Sequence, residues 1–92
     1  MAPLRLRPDA LHWRRIEDEV IAIDLRASTY LSANGSGAVL WEALARGATR
    51  EALAELLVQK FGIDNARAAS DVQSFVDDLT ARGLLELDET PS

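Results

Sequence analysis

The spacing of apolar residues along the chain changes near residue 34. Before that point, residues 11–16 alternate imperfectly and residues 29–33 alternate with Leu31 and Ala33 inward, while residues 20–25 set Ile21, Ile23 and Leu25 on one side and Val20, Ala22 and Asp24 on the other. Short polar segments separate these stretches. The middle stretch, Val-Ile-Ala-Ile-Asp-Leu, is rich in the β-branched residues that favour strands. A period of two is typical of a half-buried strand. The pattern therefore predicts three short strands joined by tight links, arranged as an antiparallel meander.

After residue 34 the apolar residues recur at the spacing of amphipathic helices. Helix-capping residues and glycines mark the ends of three such stretches. The residues predicted to begin the helices are Asn34 to Ser36, Thr49 and Asp64, and those predicted to end them are Gly47, Gly62 and Gly83. The predicted apolar stripes are Ala38, Leu40, Trp41 and Leu44; Leu53, Leu56, Leu57 and Phe61; and Ala68, Val72, Phe75, Val76 and Leu79.

The chain is predicted to be a single α+β domain over residues 1–92, ordered over about residues 11–87. A three-stranded antiparallel sheet comes first and three helices follow, an arrangement that resembles a winged helix-turn-helix. Residues 84–87 are expected to form a short extended tail on the core. The polar residues 88–92 are expected to fray.

Composition limits the kinds of site that the domain can hold. Ninety-two residues, 48% of them hydrophobic, allow one compact core but little volume for a deep catalytic cavity. There are no cysteines, which excludes disulfides, thiolate metal ligands and cysteine nucleophiles. No apolar run approaches the ~20 residues of a membrane span, and no apolar stretch follows the first arginines as in a secretory signal. A cytoplasmic protein without a membrane partner is expected.

The net charge of −5 is unevenly distributed. Residues 1–15 carry four arginines against one aspartate, whereas residues 63–92 carry seven acidic residues against two arginines. A solvated acidic face is the simplest account of the second region. Affinity for nucleic acid comes largely from clustered Lys and Arg, so no nucleic-acid partner is expected. A winged-helix DNA-binding protein stays open as an alternative, although its recognition helix, residues 64–82, would have four acids and two arginines.

No set of residues predicts catalysis, a metal or a cofactor. His12 is the only histidine and lies in a predicted strand, whereas metal and triad sites need several convergent groups. Asp77 and Asp78 are adjacent on a helix, so their side chains diverge by ~100°. The glycine-rich residues 34–37 lack the Lys-Ser/Thr of a phosphate-binding loop and are better explained as a tight strand-to-helix turn. The protein is predicted not to be an enzyme.

The two tryptophans have different expected roles. Trp41 lies in the first helical stripe and is expected in the core. Trp13 lies on a face of the first predicted strand, where it either covers the core or joins an interaction surface.

Two long segments, residues 19–44 and 71–85, resemble the PqqD family. Three elements carry the resemblance: the D-L-x-x-x-x-Y strand pair beginning at Asp24, the Asn-x-x-Gly-Ala helix start at Asn34, and the closing F-x-x-x-L-x-x-x-G-L-L segment from Phe75. Together they span nearly the whole predicted domain. Each element alone is a weak signal, but the three in this order are fairly specific.

The resemblance implies a RiPP recognition element, a non-catalytic module that binds the leader segment of a ribosomally made precursor peptide. In that family the leader adds as an extra strand beside the third strand, in a groove walled by the third helix. Those elements correspond here to residues 29–33 and 64–82. The former also has the composition of an unprotected edge strand, without Lys or Pro. The residues expected to bind the peptide are Thr29, Tyr30, Leu31, Ser32, Ala33, Asp71, Val72, Phe75, Asp78 and Leu79.

The expected partners follow from the same resemblance. One family branch serves lasso-peptide biosynthesis beside a leader peptidase and a cyclase, and another serves pyrroloquinoline-quinone biosynthesis beside a radical enzyme. The run Ser-Thr-Tyr-Leu-Ser-x-Asn-Gly-Ser-Gly at residues 28–37 looks closer to the lasso branch. The chain is expected to be a monomer or a weak dimer that pairs through its edge strands.

Overall fold

The computed structural model describes residues 3–87. It confirms the predicted α+β class, with a three-stranded antiparallel sheet followed by three helices. The elements in chain order are β1 (Leu4–Leu6), β2 (Leu11–Ile16), β3 (Glu19–Asp24), β4 (Thr29–Asn34), α1 (Ser36–Arg46), α2 (Arg50–Phe61), α3 (Asn65–Ala81) and β5 (Leu85–Leu87). The predicted fraying of residues 88–92 lies outside the described residues.

The strands β2, β3 and β4 form the predicted meander, with β3 in the centre. Val20, Ala22 and Asp24 of β3 face the helices and are at most 4% exposed. The Oδ1 atom of Asp24 accepts the backbone N–H groups of Arg26 (3.0 Å) and Ala27 (3.1 Å). These two bonds satisfy the buried carboxylate and fix the link that leads into β4.

A second, two-stranded sheet joins the two ends of the described chain. β1 pairs antiparallel with β5, with Leu4 opposite Leu87, and Leu4 also exchanges backbone hydrogen bonds of 2.8 and 2.9 Å with Ala48. The predicted extended tail is thus confirmed as β5. Sequence analysis assigned no element to β1, because three residues are too few to show an alternation.

All three helix N-caps lie at the predicted positions, and side chains cap two of the three. The Thr49 hydroxyl accepts the N–H of Ala52 at 3.1 Å, and Asp64 Oδ1 accepts the N–H of Arg67 at 2.7 Å. α1 differs, because its N-cap is Gly35 and no side chain caps it. All three predicted glycines follow the helix ends with positive φ.

The core lies between the meander and the helices, and Trp41 is 2% exposed within it. Trp13 is partly buried against that core, and its ring meets the Trp41 ring edge to face at a centroid distance of 6.3 Å. Phe61 was predicted to pack in the stripe of α2, and this was wrong, because its side chain is 45% exposed. It is the last residue of α2 and lies at the rim of a surface cavity rather than over the core.

Candidate binding site at the free edge of the sheet

The meander has two outer strands, and only one of them has the composition of an unprotected edge. β2 carries Arg14 and Arg15, and the Arg15 guanidinium pairs with Glu42 of α1 and donates to the Glu17 carbonyl at 2.7 Å. Charged side chains on an outer strand discourage pairing with another chain. β4, with the sequence Thr-Tyr-Leu-Ser-Ala-Asn, has no charged residue. β4 is therefore the edge at which an extended peptide can add.

The register identifies the backbone groups that β4 offers. The Leu25 N–H donates to the Ala10 carbonyl on the β2 side at 2.9 Å, so the backbone of the preceding residue, Asp24, faces β4. Asp24 is opposite Thr29, so the N–H and C=O groups of Thr29 point to β3. The backbone groups of successive residues along β4 then point alternately to the free edge and to β3. The N–H and C=O groups that point to the free edge are those of Tyr30, Ser32 and Asn34. An added strand would pair with these three residues.

β4, α1 and α3 meet at Gly37, in the first turn of α1. A Cβ atom on Gly37 would lie 3.2 Å from the Cβ of Ala33 and 3.6 Å from Cε1 of Phe75. Phe75 is half-buried, and so are Leu31 and Ala33, the two inward side chains of β4. β4 and α3 therefore both contribute apolar side chains at this point, and we call the space between these two elements the groove.

A hydrogen bond holds the start of β4 against the end of α3. The Arg26 guanidinium, in the link before β4, donates from Nη2 to the Gly83 carbonyl at 3.0 Å. Gly83 has a φ of 74° and directly follows the C-cap of α3, so its carbonyl is free of the helix. This contact joins the two walls of the groove at one end.

The structure divides the ten residues predicted to bind the peptide into three sets. Thr29, Tyr30, Ser32, Asp71 and Asp78 are exposed, and Leu31, Ala33 and Phe75 are half-buried. Val72 and Leu79 are only 2% and 3% exposed and belong to the core. Of the apolar α3 residues predicted to bind the peptide, Phe75 alone therefore has substantial accessible surface.

The two predicted rim carboxylates each have an arginine one helical turn away. Asp71 lies 3.9 Å from Arg67, and Asp78 lies 3.3 Å from Arg82, both as exposed i,i+4 pairs. Such pairs contribute about 0.3–0.5 kcal/mol and exchange partners readily in water. The carboxylates are thus paired without being sequestered.

A cavity of about 220 Å³ lies where α1 begins, α2 ends and α3 begins. Its lining residues are Ser36, Phe61, Ile63, Arg67 and Asp71. The cavity could not be predicted from the sequence, because its residues come from three separate helices. The available signal was the pair of apolar residues, Phe61 and Ile63, on either side of a helix-ending glycine. The role of Gly37 was also not predicted, because the sequence does not show which neighbouring side chains lie close to a glycine.

The described part of the chain brings together no group of three or more histidine, cysteine, aspartate or glutamate residues that could hold a metal ion. His12 is exposed on the surface of β2. No helix within residues 3–87 is sufficiently long and apolar to cross a membrane. The geometry of the site offers backbone pairing and apolar contact rather than a convergent set of reactive groups.

Comparison with known proteins agrees with this fold. No curated protein matches the chain. The solved structure "TbiB1 in Complex with the TbiA(beta) Leader Peptide" is similar with a TM-score of 0.80 at 23% identity, over 96% of this chain and 99% of that chain. "Lasso peptide synthetase B1 complexed with the leader peptide" is similar with a TM-score of 0.79 at 22% identity, over 92% and 99%. At these identities the likeness shows a shared fold.

The family evidence comes from the sequence itself. The family described as "Coenzyme PQQ synthesis protein D (PqqD)" matches residues 19–85, which run from the start of β3 to the start of β5. That match covers well over half of the chain, and it includes both walls of the groove. The chain belongs to the PqqD family.

Proposed function

We propose that this protein is a non-catalytic RiPP recognition element, which captures the leader segment of a ribosomally made precursor peptide and presents it to modifying enzymes. The observation that carries the proposal is the free edge of β4. Three residues there direct backbone donors and acceptors outward, no charge protects the strand, and the half-buried Phe75 lies beside it. An exposed edge next to an apolar wall is the arrangement that β-augmentation requires.

Binding would proceed by addition of a fourth strand to the meander. The leader backbone would pair with Tyr30, Ser32 and Asn34, which supplies affinity for any extended peptide. Every second leader side chain would then enter the groove between β4 and Phe75, and this supplies specificity for apolar residues at that spacing. Asp71 and Asp78 at the rim would favour a leader with basic residues outside the groove.

The partners we infer are a leader peptidase and a lasso cyclase. Both similar structures are described as leader-peptide complexes, and one of them is named lasso peptide synthetase B1. Such a role would place the protein in the cytoplasm, as a monomer or a weak dimer. The alternative is a peptide chaperone that acts with a radical enzyme in quinone-cofactor biosynthesis, because the matching family is described by coenzyme PQQ synthesis. Binding of the two candidate precursors, compared in one assay, separates these pathways.

A winged-helix nucleic-acid-binding protein is the alternative from a different class. The order of α2, α3 and β5 favours it, but both arginines of the segment 64–82 lie beside carboxylates. Binding to DNA would weaken steeply with salt, because it depends on the release of counterions. Strand addition with apolar contacts depends far less on salt.

Fluorescence anisotropy with a labelled synthetic leader tests the proposal. The leader is chosen from candidate lasso precursors, and the controls are a scrambled peptide of the same composition and a labelled DNA duplex. We expect saturable binding of the leader alone, with an affinity that changes by less than about threefold between ~0.1 and ~0.5 M NaCl. Equal binding of leader and scrambled peptide, or tight and salt-sensitive binding of the duplex, would refute it.

A further inference from the structure

The two walls of the groove belong to different packing layers of the domain. β4 is hydrogen-bonded to β3 and packs on α1, whereas α3 packs mainly on α2 and also meets β5. Within residues 3–87, β4 and α3 are not among the pairs of elements that share extensive contact. The distance between the walls therefore depends on the few contacts that cross the groove rather than on a shared interface.

One of these contacts lies at the end of the groove where β4 begins. The Arg26 guanidinium donates from Nη2 to the Gly83 carbonyl at 3.0 Å, and this bond joins residues 57 positions apart. The backbone of Arg26 is itself held, because Asp24 Oδ1 accepts its N–H at 3.0 Å and Asp24 is buried. The arginine thus reaches the end of α3 from a fixed point.

The Gly83 side of the contact is also fixed. The Gly83 N–H donates to the Thr80 carbonyl and the Leu84 N–H donates to the Leu79 carbonyl, both at 3.0 Å, and Leu84 is fully buried. A Cβ atom on Gly83 would lie 2.6 Å from Nη2 of Arg26, closer than real Cβ contacts. Glycine is therefore needed here for its positive φ of 74° and also to leave room for the guanidinium.

The opposite end of the groove is held in a different way. There Gly37 of α1 lies against Ala33 and Phe75, so close packing rather than a side-chain hydrogen bond sets the spacing. The bond from Arg26 is exposed, and water competes for both of its partners. The end of the groove beside the start of β4 is therefore the part whose width depends on one side chain.

We propose that Arg26 is a positioning residue for leader recognition, and that its bond to Gly83 determines how large a leader side chain fits at the end of the groove beside Thr29 and Leu31. This inference rests on the proposed leader binding. With the bond in place, the end of α3 is held near β4 before the leader arrives, which lowers the entropic cost of binding. Without the bond, this wall gives way more easily, so the groove no longer rejects bulky side chains as strongly.

The test compares two substitutions of Arg26. Arg26→Met keeps an unbranched apolar stem but has no donor, whereas Arg26→Lys keeps a charge and a donor. The matched control is Arg7→Met, because the Arg7 guanidinium also donates to a backbone carbonyl after α3, that of Leu85 at 3.4 Å. Arg7 follows β1 and does not join β4 to α3. Each methionine variant removes one positive charge, so the comparison isolates the contact between the two walls.

The probes are the labelled leader that wild type binds and a series of labelled derivatives, each with one apolar leader residue replaced by tryptophan. The dissociation constant of each derivative is divided by that of the parent leader, and this ratio is the tryptophan penalty at that position. A substitution that only destabilises the domain would weaken every peptide alike and leave the penalties unchanged. The penalties therefore separate positioning from a general loss of structure.

We expect Arg26→Met to bind the parent leader about fivefold more weakly, and to lower the tryptophan penalty about threefold or more at one leader position while the others stay unchanged. Arg26→Lys should lie between Arg26→Met and wild type, and Arg7→Met should have wild-type penalties. Arg26→Met should melt within about 3 °C of wild type, because Arg26 is exposed.

Unchanged penalties in Arg26→Met would overturn the inference, whatever the affinity for the parent leader. So would an effect of Arg26→Met that disappears when one acidic leader residue is replaced by its amide, because Arg26 would then contact the leader directly. Failure of wild type itself to bind any leader would instead refute the proposed function.

Discussion

A Cβ atom on Gly37 would lie 3.2 Å from the Cβ of Ala33, closer than ordinary van der Waals contact. Gly37 lies within α1, where glycine costs about 1 kcal/mol relative to alanine. Helix propensity therefore favours alanine at this position, and the contact with β4 opposes it. Phe75 is the third group at this point, at 3.6 Å. The absence of a side chain at Gly37 thus lets the start of α1 pack closely against β4 and Phe75.

We therefore predict that Gly37→Ala weakens leader binding several-fold while changing the free energy of unfolding by less than about 1 kcal/mol. The added methyl group would push Ala33 or Phe75 into the groove, and the gain in helix propensity would offset the strain. Gly37→Val should weaken binding further, since it adds more volume at the same point. Anisotropy and thermal melts measure the two effects. Identical leader affinity for all three proteins would contradict this role.

Proline substitutions in β4 should distinguish its two sides. Ser32 has its N–H at the free edge, so Ser32→Pro should keep the sheet and weaken leader binding by about tenfold through the loss of one donor. Leu31 has its N–H towards β3, so Leu31→Pro should remove a bond of the sheet itself and destabilise the fold. Circular dichroism melts and leader titrations make the comparison. Equal destabilisation by both prolines would show that the alternation along β4 is reversed.

Truncation of Phe75 tests the wall of the groove. If this half-buried ring anchors the leader, Phe75→Ala should cost about 2 kcal/mol of binding free energy or more. Loss of packing is a competing cause, and Val76→Ala is the control because Val76 is fully buried on the same helix. The control should lower the melting temperature while leaving leader affinity unchanged. Similar losses of affinity in both variants would remove the ring from the site.

The rim carboxylates should have smaller effects that depend on salt. Asp71→Ala and Asp78→Ala each remove one exposed charge, so leader binding should weaken modestly, with more effect at low salt. Each variant also frees the neighbouring arginine, which would repel a basic leader. Double variants that also remove Arg67 or Arg82 should recover part of the loss. Leader affinities measured across a salt series check this, and no change at low salt would exclude the carboxylates from recognition.

The elements of the fold could be predicted wherever one pattern dominated. Thr49 and Asp64 correctly predicted the starts of α2 and α3, because helix capping is a local interaction. In β3, however, both alternating sets are largely apolar, so the alternation predicts a strand without saying which side is buried. The helices that pack against Val20 and Ala22 decide this, and their positions are not encoded locally. The exposure of Ile21 and Ile23 on the other side of β3 was consequently not predicted.

The same limit applies to the site. The edge at β4 was predictable, because a strand without charged residues or proline lacks the features that prevent pairing with another chain. The distinction between Phe75 and its buried neighbours on α3 was not, since all occupy one helical stripe. Which part of a stripe reaches the surface depends on how the helix is rotated against the sheet. That rotation depends on long-range contacts, such as the bond from Arg26 to the Gly83 carbonyl.

Hydrogen exchange gives the most direct test of where the leader binds, because the amides of β4 provide their own control. In the free protein, Leu31 and Ala33 donate within the sheet and should exchange slowly, whereas Tyr30 and Ser32 should exchange fast. Adding leader should slow Tyr30 and Ser32 and leave the other two nearly unchanged. Amide chemical shifts should move across residues 29–33 and 71–79. Changes confined to α1 and α2, with β4 silent, would place the leader on the opposite side of the molecule.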